Sequence, residues 1–138
     1  MKRKISTPNA PAAIGPYSQA VKAGDFLYVS GQIPLSPATG EIVGTTIEEQ
    51  TEQVFANLQA ILTAAGMTFD DVVKATVLLS DIANFGAVNT IYGKYFNGKV
   101  LPARAAFAVK DLPKGAMVEI ELVAYNWALS ANDVPNFD

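Results

Sequence analysis

Residues 46–79 read TIEEQTEQVFANLQAILTAAGMTFDDVVKATVLL, and this stretch decides the fold because it places a helix directly before a strand. Thr46 and Glu49 have the spacing of a capping box, in which each side chain binds a backbone N–H group of the other residue. Apolar residues then recur at intervals of three and four as far as Gly66, a residue typical of the position just after a helix. Residues 72–79 are an apolar, β-branched run. The stretch therefore predicts a helix over 46–65 and a central strand that is buried on both faces over 72–79.

The segments around this stretch complete an α+β pattern. Residues 7–17 contain three prolines and predict a loop, whereas residues 82–96 predict a second helix whose apolar positions, Phe85 and Tyr92 among them, are mainly core. Further strands are predicted at 26–30, 105–109 and 118–127, with a short strand or edge at 41–43. Two amphipathic helices among these strands predict a mixed sheet with both helices on one face. The uncovered face favours association of subunits, with sites between them.

Length and composition limit the protein's organisation and partners. The 138 residues predict a single domain, 1–138, whose polar segment 128–138 is a loose extension. The net charge is −3, and the only basic cluster is residues 2–4, which argues against nucleic acid as a partner. Apolar runs of 18 residues are missing and the first residues do not resemble a secretory signal, so we expect no membrane partner and a cytoplasmic location.

The chain contains neither cysteine nor histidine. Thiolate nucleophiles, imidazole bases and ordinary zinc sites are therefore excluded, and arginine and carboxylate chemistry remains. Arg104, in the segment LPAR, offers a planar fork that grips a carboxylate, and Glu119, in VEIE, could hold or polarise a water molecule. The alternative is that Arg104 and a nearby glutamate form an exposed salt bridge, which is common and weak.

Other charged residues favour structural roles. Glu48, Glu49 and Glu52 lie in the first turns of the predicted helix, where carboxylates complement the helix dipole, so no metal site is implied. Lys74 interrupts an apolar strand. It could form a Schiff base, but a lysine that snorkels, pairs with a carboxylate or lies at an oligomer rim is the favoured interpretation.

Five separate motifs, in the same order and at similar spacing, resemble the RidA/YjgF family of enamine/imine deaminases over residues 4–125. They are AIGPYSQA at 13–20, VSGQIP at 29–34, Phe85 with Val88-Asn89, PAR at 102–104, and VEIE at 118–121. The resemblance implies a chorismate-mutase-like homotrimer in which the sheets form a central barrel and three clefts lie between subunits.

The same resemblance implies the chemistry. Arg104 would hold the substrate carboxylate and Glu119 would position the hydrolytic water. The substrate is a small 2-enamino or 2-imino acid, 2-aminoacrylate or 2-aminocrotonate, which is hydrolysed through the imine to a 2-keto acid and ammonia without a cofactor or a metal. The other cleft-lining positions that the resemblance implies are Tyr17, Ser30, Gly31, Phe85, Asn89 and Ala106.

One position departs from the family. Many deaminating members have a cysteine two residues after the arginine, where this chain has Ala106; the resemblance implies that backbone groups carry most of the role there. Three cleft positions keep structural alternatives: Ser30 as a hydroxyl that satisfies backbone groups, Tyr17 as an interface aromatic, and Phe85 as core. At the level of function, the alternatives to a deaminase are a protein-binding regulator or holdase on the same trimer and, third, a ribonuclease or translation inhibitor.

Overall fold

A computed structural model describes residues 1–127 as one six-stranded sheet and two helices. The predicted loose extension, 128–138, lies outside the described residues. The helices are α1 (Ile47–Ala64) and α2 (Phe85–Tyr95), and single turns of 3-10 helix occupy Phe69–Asp71, Ile82–Asn84 and Pro113–Gly115. The strands are β1 (Lys2–Ile5), β2 (Ala20–Ala23), β3 (Phe26–Gln32), β4 (Val72–Leu79), β5 (Ala103–Ala108) and β6 (Val118–Tyr125).

The sheet has the order β1-β2-β3-β6-β4-β5. Strands β4 and β5 are parallel and are joined through α2, whereas every other neighbouring pair is antiparallel. Strand β6, the last in sequence, therefore lies between β3 and β4. A parallel connection needs a crossover of a dozen or more residues, and α2 supplies it.

Both helices pack on one face of the sheet, as predicted. Helix α1 contacts α2, β3 and β6, and the alternate residues of β6 that face the helices, such as Ile120 and Ala124, are fully buried. The opposite face is open and carries three aromatic side chains, Phe26, Tyr28 and Phe107, that are 41%, 50% and 48% exposed. This is the α+β arrangement expected from the sequence, with one apolar face left uncovered in the single subunit.

Helix α1 begins with the predicted capping box. The Glu49 backbone N–H donates to Thr46 Oγ1 at 3.1 Å, and Glu49 Oε1 accepts from the Thr46 N–H at 3.2 Å. Gly66 follows the helix with φ at +74°, a conformation that glycine adopts without strain. Glu52 accepts from Lys94 Nζ at 2.7 Å and from the Tyr95 hydroxyl at 2.8 Å, so it links α1 to α2. Two of the three acidic residues thus have defined structural partners.

Several predicted boundaries were wrong. Strands β1 and β2 were not predicted, because three of the four residues of β1 are exposed bases and the strand is formed by pairing with β2 rather than by its own propensity. Residues 41–43 form no strand; Ile42 makes an isolated bridge to Leu35. Strand β5 begins earlier, at Ala103, β6 ends at Tyr125, and the predicted helix 82–96 begins with a 3-10 turn.

Strand β4 is not buried on both faces, because its residues alternate between full and partial burial. Lys74 lies on the open face and is exposed, so it is not a buried lysine. Within residues 1–127, neither helix combines the length and the apolar character needed to cross a bilayer.

Candidate functional site

Arg104 lies on β5 with its side chain on the helix side of the sheet. Its strand partner on β4, Ala75, is fully buried beneath the helices. Arg104 Nη1 donates to Asn89 Oδ1 at 2.6 Å. The guanidinium carbon lies 4.7 Å from the centre of the Tyr92 ring and 5.3 Å from that of Phe85. Residues 85, 89 and 92 follow one stripe of α2, since they are separated by four and then three positions.

This arrangement holds a cation at the wall of a cleft of about 450 Å³, which we call the arginine cleft. Asn89 uses one guanidinium donor, and four of the five N–H groups of an arginine then remain for a ligand. A planar fork with free donors suits a carboxylate, which accepts two parallel hydrogen bonds from it. The cleft is lined by Asn89, Tyr92, Gly93, Leu101, Pro102 and Arg104.

Tyr92 also lines this cleft, although the sequence predicted only a core position for it. It is 7% exposed, and its hydroxyl has no hydrogen-bond partner among the described residues. Burial raises the pKa of Tyr92, and the charge of Arg104 opposes that rise. An unpaired buried hydroxyl costs about 1–3 kcal/mol. The sequence did contain one indication that Tyr92 lines the cleft: it lies three residues after Asn89, on the same side of the helix.

Glu119 lies on β6, on the open face of the sheet, and is partly buried. It borders a second cleft of about 360 Å³, the glutamate cleft, together with Tyr17 and Gly31. Burial raises the pKa of the Glu119 carboxyl, and the nearby charge of Glu121 raises it further. A carboxyl with a raised pKa is a better proton acceptor than an ordinary surface glutamate.

Gly31 lies beside the Glu119 side chain, in the stretch where the register of β3 against β6 shifts between Val29 and Gln32. A Cβ atom at position 31 would overlap the carboxylate oxygen Oε2 and the Cδ atom of Glu119. An alanine here would force the end of the Glu119 side chain to move. The predicted site residue Gly31 therefore packs against the Glu119 carboxylate.

Buried amide side chains hold the loops around the glutamate cleft. Gln19, 3% exposed, accepts from the Thr7 N–H at 2.7 Å and donates to the Pro11 carbonyl at 2.8 Å, so it fixes the loop that carries Tyr17. Asn57 on α1 donates to the Leu35 carbonyl at 3.0 Å on the other side of the cleft. Sequence reasoning missed both residues, although Gln19 lies within the quoted motif 13–20.

The hydroxyl of Ser30 donates to the Ser18 carbonyl at 2.6 Å, which is the backbone-satisfying role named as its structural alternative. Tyr17 is 55% exposed, and Phe85 is partly buried against the core. Ala106 follows Arg104 on the helix side of β5, since its partner is Val77. The predicted residues therefore fall into two groups, Arg104 with Phe85, Asn89 and Ala106, and Glu119 with Tyr17, Ser30 and Gly31.

The two clefts lie on opposite faces of the sheet. On β4, Arg104 pairs with Ala75 and Glu119 pairs with Leu78, and positions three apart on a strand face opposite sides. Strand spacings put the two Cα atoms roughly 14 Å apart. Within residues 1–127, Arg104 forms no ion pair with Glu119 or Glu121, so the salt-bridge alternative is wrong for the single subunit.

Comparisons with known proteins agree with this architecture. A family profile described as Endoribonuclease L-PSP matches residues 7–126. The chain is 54% identical over 125 residues to a RutC family protein of Pyrococcus horikoshii, an alignment covering 91% of this chain and 98% of that protein. It is 52% identical over 124 residues to the 2-iminobutanoate/2-iminopropanoate deaminase of Mus musculus, covering 90% and 91%.

Solved structures give the same result. The Rid-family protein YyfA of Yersinia pestis superposes with a TM-score of 0.88 at 51% identity, covering 91% of this chain and 99% of that one. TdcF of E. coli, solved with bound serine, superposes with a TM-score of 0.84 at 38% identity, covering 89% and 98%. Sequence matches along most of the chain, and a shared fold, make this protein a member of the RidA/YjgF family.

Proposed function

We propose that the protein is a homotrimeric hydrolase that deaminates small 2-enamino and 2-imino acids to 2-keto acids and ammonia. The observation that carries the proposal is the separation of Arg104 from Glu119 by the thickness of the sheet. Each subunit offers a carboxylate-binding cleft on one side and a proton-accepting cleft on the other. A complete site then needs the arginine cleft of one subunit to face the glutamate cleft of its neighbour.

The open face of the sheet supports association. Phe26, Tyr28 and Phe107 expose aromatic surface there, and an apolar face of this kind is typical of subunit interfaces. A head-to-tail contact, in which one surface meets a different surface of the next copy, closes into a ring when the rotation permits it. A trimer of this 14.6 kDa chain would have a mass of about 44 kDa.

The proposed reaction begins with the substrate carboxylate bound bidentately by Arg104, in a geometry fixed by Asn89 and the aromatic rings. The enamine gains a proton at carbon and loses one from nitrogen to give the imine, whose C=N carbon is electrophilic. Glu119 of the neighbouring subunit accepts a proton as water adds to that carbon, and returns a proton to nitrogen as the C–N bond breaks. The products are the 2-keto acid and ammonium.

Two relatives support this substrate class. The mouse relative is named for the deamination of 2-iminobutanoate and 2-iminopropanoate. Both compounds are 2-imino acids, the substrate class proposed here. TdcF of E. coli was solved with serine, an amino acid that presents a carboxylate beside a nitrogen-bearing carbon. The imino acids and serine each carry a carboxylate, which is the group that a guanidinium binds.

The test is an assay in which a pyridoxal-phosphate dehydratase generates 2-aminoacrylate and pyruvate formation is followed with and without this protein. We expect acceleration by the wild type. Arg104→Lys should lose most of kcat/KM while remaining folded, because an ammonium cannot reproduce the planar fork.

A matched pair of variants tests the glutamate. Glu119→Gln should slow hydrolysis by on the order of 10²-fold. Glu121→Gln, two residues along the same face but exposed and outside the glutamate cleft, should change it much less. Equal losses in the two variants would remove Glu119 from the mechanism.

The competing functions give different results in the same preparations. A holdase or regulator would bind client protein and leave pyruvate formation unchanged. A ribonuclease would degrade RNA in a manner sensitive to the same substitutions; the net charge of −3 and the lack of histidine argue against it. Sedimentation that gives the mass of a single chain would contradict the trimer.

A further inference from the structure

We infer that Tyr92 is the positioning residue for Arg104: the face of its ring is the platform that fixes the guanidinium for a ligand carboxylate. The inference rests on the proposed function only for the identity of that ligand. The contact itself is a property of the single subunit.

The Tyr92 ring is held by the core. It lies 4.5 Å from the Phe96 ring and 6.1 Å from the Phe55 ring, measured between centres, and those residues are 6% and 0% exposed. On another side the same ring meets the Arg104 guanidinium at 4.7 Å, closer than the 5.3 Å of Phe85. The guanidinium therefore rests on a side chain that cannot easily move.

Arg104 needs such a support because of its location. It is exposed on β5, which forms the end of the sheet, and an unrestrained arginine samples many rotamers. Asn89 restrains the guanidinium through one N–H group, but a single hydrogen bond allows the plane to rotate around it. The Tyr92 ring adds a contact through its π face. A hydrogen bond and a face contact together define the direction of the remaining donors.

The face of the ring, rather than its hydroxyl, is the acting part. The hydroxyl is buried and has no partner among residues 1–127, whereas the ring face has a cation within the range of a cation–π contact. Phenylalanine at this position should therefore preserve the platform, and an aliphatic residue should remove it.

The first experiment uses no ligand. The ¹⁵Nε–¹Hε signal of Arg104, identified by its loss in Arg104→Lys, reports the ring current of Tyr92 and the rotation of the guanidinium. We expect Tyr92→Leu to shift this signal and speed the rotation, and Tyr92→Phe to preserve both. Tyr95→Leu is the matched control, since Tyr95 is on the same helix and stacks on Phe55 at 4.4 Å without being in ring contact with Arg104.

The second experiment measures binding of 2-oxobutanoate, a product-like carboxylate, and the KM for 2-aminoacrylate. Tyr92→Leu should raise both constants about 10-fold. Tyr95→Leu should lower the Tm without that loss of affinity. A phenylalanine with a fluorinated ring at position 92 keeps the shape but weakens the negative face, so it should raise both constants even if Tyr92→Leu folds poorly.

Three results would overturn the inference: an unchanged Arg104 signal in Tyr92→Leu, an equal loss of affinity in Tyr95→Leu, or a loss in Tyr92→Phe as large as that in Tyr92→Leu. If the wild type hydrolyses no 2-aminoacrylate, the proposed function fails. The ligand-free signal of Arg104 then still decides whether Tyr92 positions it.

Discussion

Arg104→Lys and Glu119→Gln, each expected to lose most of its activity alone, should restore activity to each other when they assemble in the same trimer. The reason is that Arg104 and Glu119 lie on opposite faces of one sheet. In the trimer that we propose, a complete site would take the arginine from one subunit and the glutamate from the next. An interface between a subunit with native Arg104 and a neighbour with native Glu119 would then be a complete site, even though neither chain has both residues.

The size of the effect follows from counting interfaces in a three-membered ring. Every mixed trimer, whether it has two copies of one variant or of the other, contains one such interface, so about one site in three is complete. With random mixing of equal amounts, three-quarters of the trimers are mixed, and about a quarter of all sites should be active.

The assay is co-expression of the two variants with different affinity tags, followed by two purification steps that retain only mixed trimers. Pyruvate formation from 2-aminoacrylate by the mixed trimers should then reach about a third of the rate of the same amount of wild-type trimer. The control combines Arg104→Lys with the double variant Arg104→Lys/Glu119→Gln, which cannot form a complete site. Mixed trimers that are no more active than the weighted mean of the parents would refute the division of the site between subunits.

Two further predictions concern the support of the site and of the fold. Gly31→Ala should displace the Glu119 carboxylate, because the added Cβ overlaps it, and should lower kcat toward that of Glu119→Gln while ligand binding to the arginine cleft persists; normal kcat would show that this packing is not needed. Glu52→Gln should destabilise the fold by about 0.5–1 kcal/mol at pH 7 in thermal unfolding, a modest value because the pair with Lys94 is solvent-exposed. Hydrogen bonds from Lys94 and Tyr95 lower the pKa of Glu52 below its ordinary value of 4.5, so this stabilisation is present above pH 4.5 and is lost as the pH falls through the lowered pKa. A difference in stability that grows on acidification would contradict this assignment.

The helices and the central strands could be predicted from the sequence because their signals are local. Thr46 and Glu49 form their capping box with only three positions between them in numbering, and the alternation of buried and more exposed residues in β6 is visible within its eight residues. The strand at Lys2–Ile5 could not be predicted in this way. Its residues are suited to an exposed edge, and only the partner β2, some twenty residues later, makes the segment extended.

The candidate residues could be named from the sequence, but their arrangement in space could not. The motifs point to Arg104 and Glu119, whereas the registers of β5 and β6 against β4 decide that they face opposite sides. Sequence spacing cannot give those registers, because β6 inserts between two strands that precede it. Tyr92 was overlooked because a buried aromatic at helical spacing is typical of a core, and its contact with Arg104 is formed across the β4–β5 crossover.

The insertion of β6 also orders the events of synthesis. Strands β3 and β4 emerge from the ribosome well before residues 118–125, and each of their facing edges is a row of unpaired backbone groups until that segment arrives. The sheet therefore cannot close progressively from its first strand; its centre is completed by nearly its last described residues. Nascent chains of this topology carry an open edge on β3, and a second open edge on β4 once residue 79 has been made, until residues 118–125 arrive. Exposed strand edges of this kind favour aggregation, so this is the interval in which a chaperone would protect the chain.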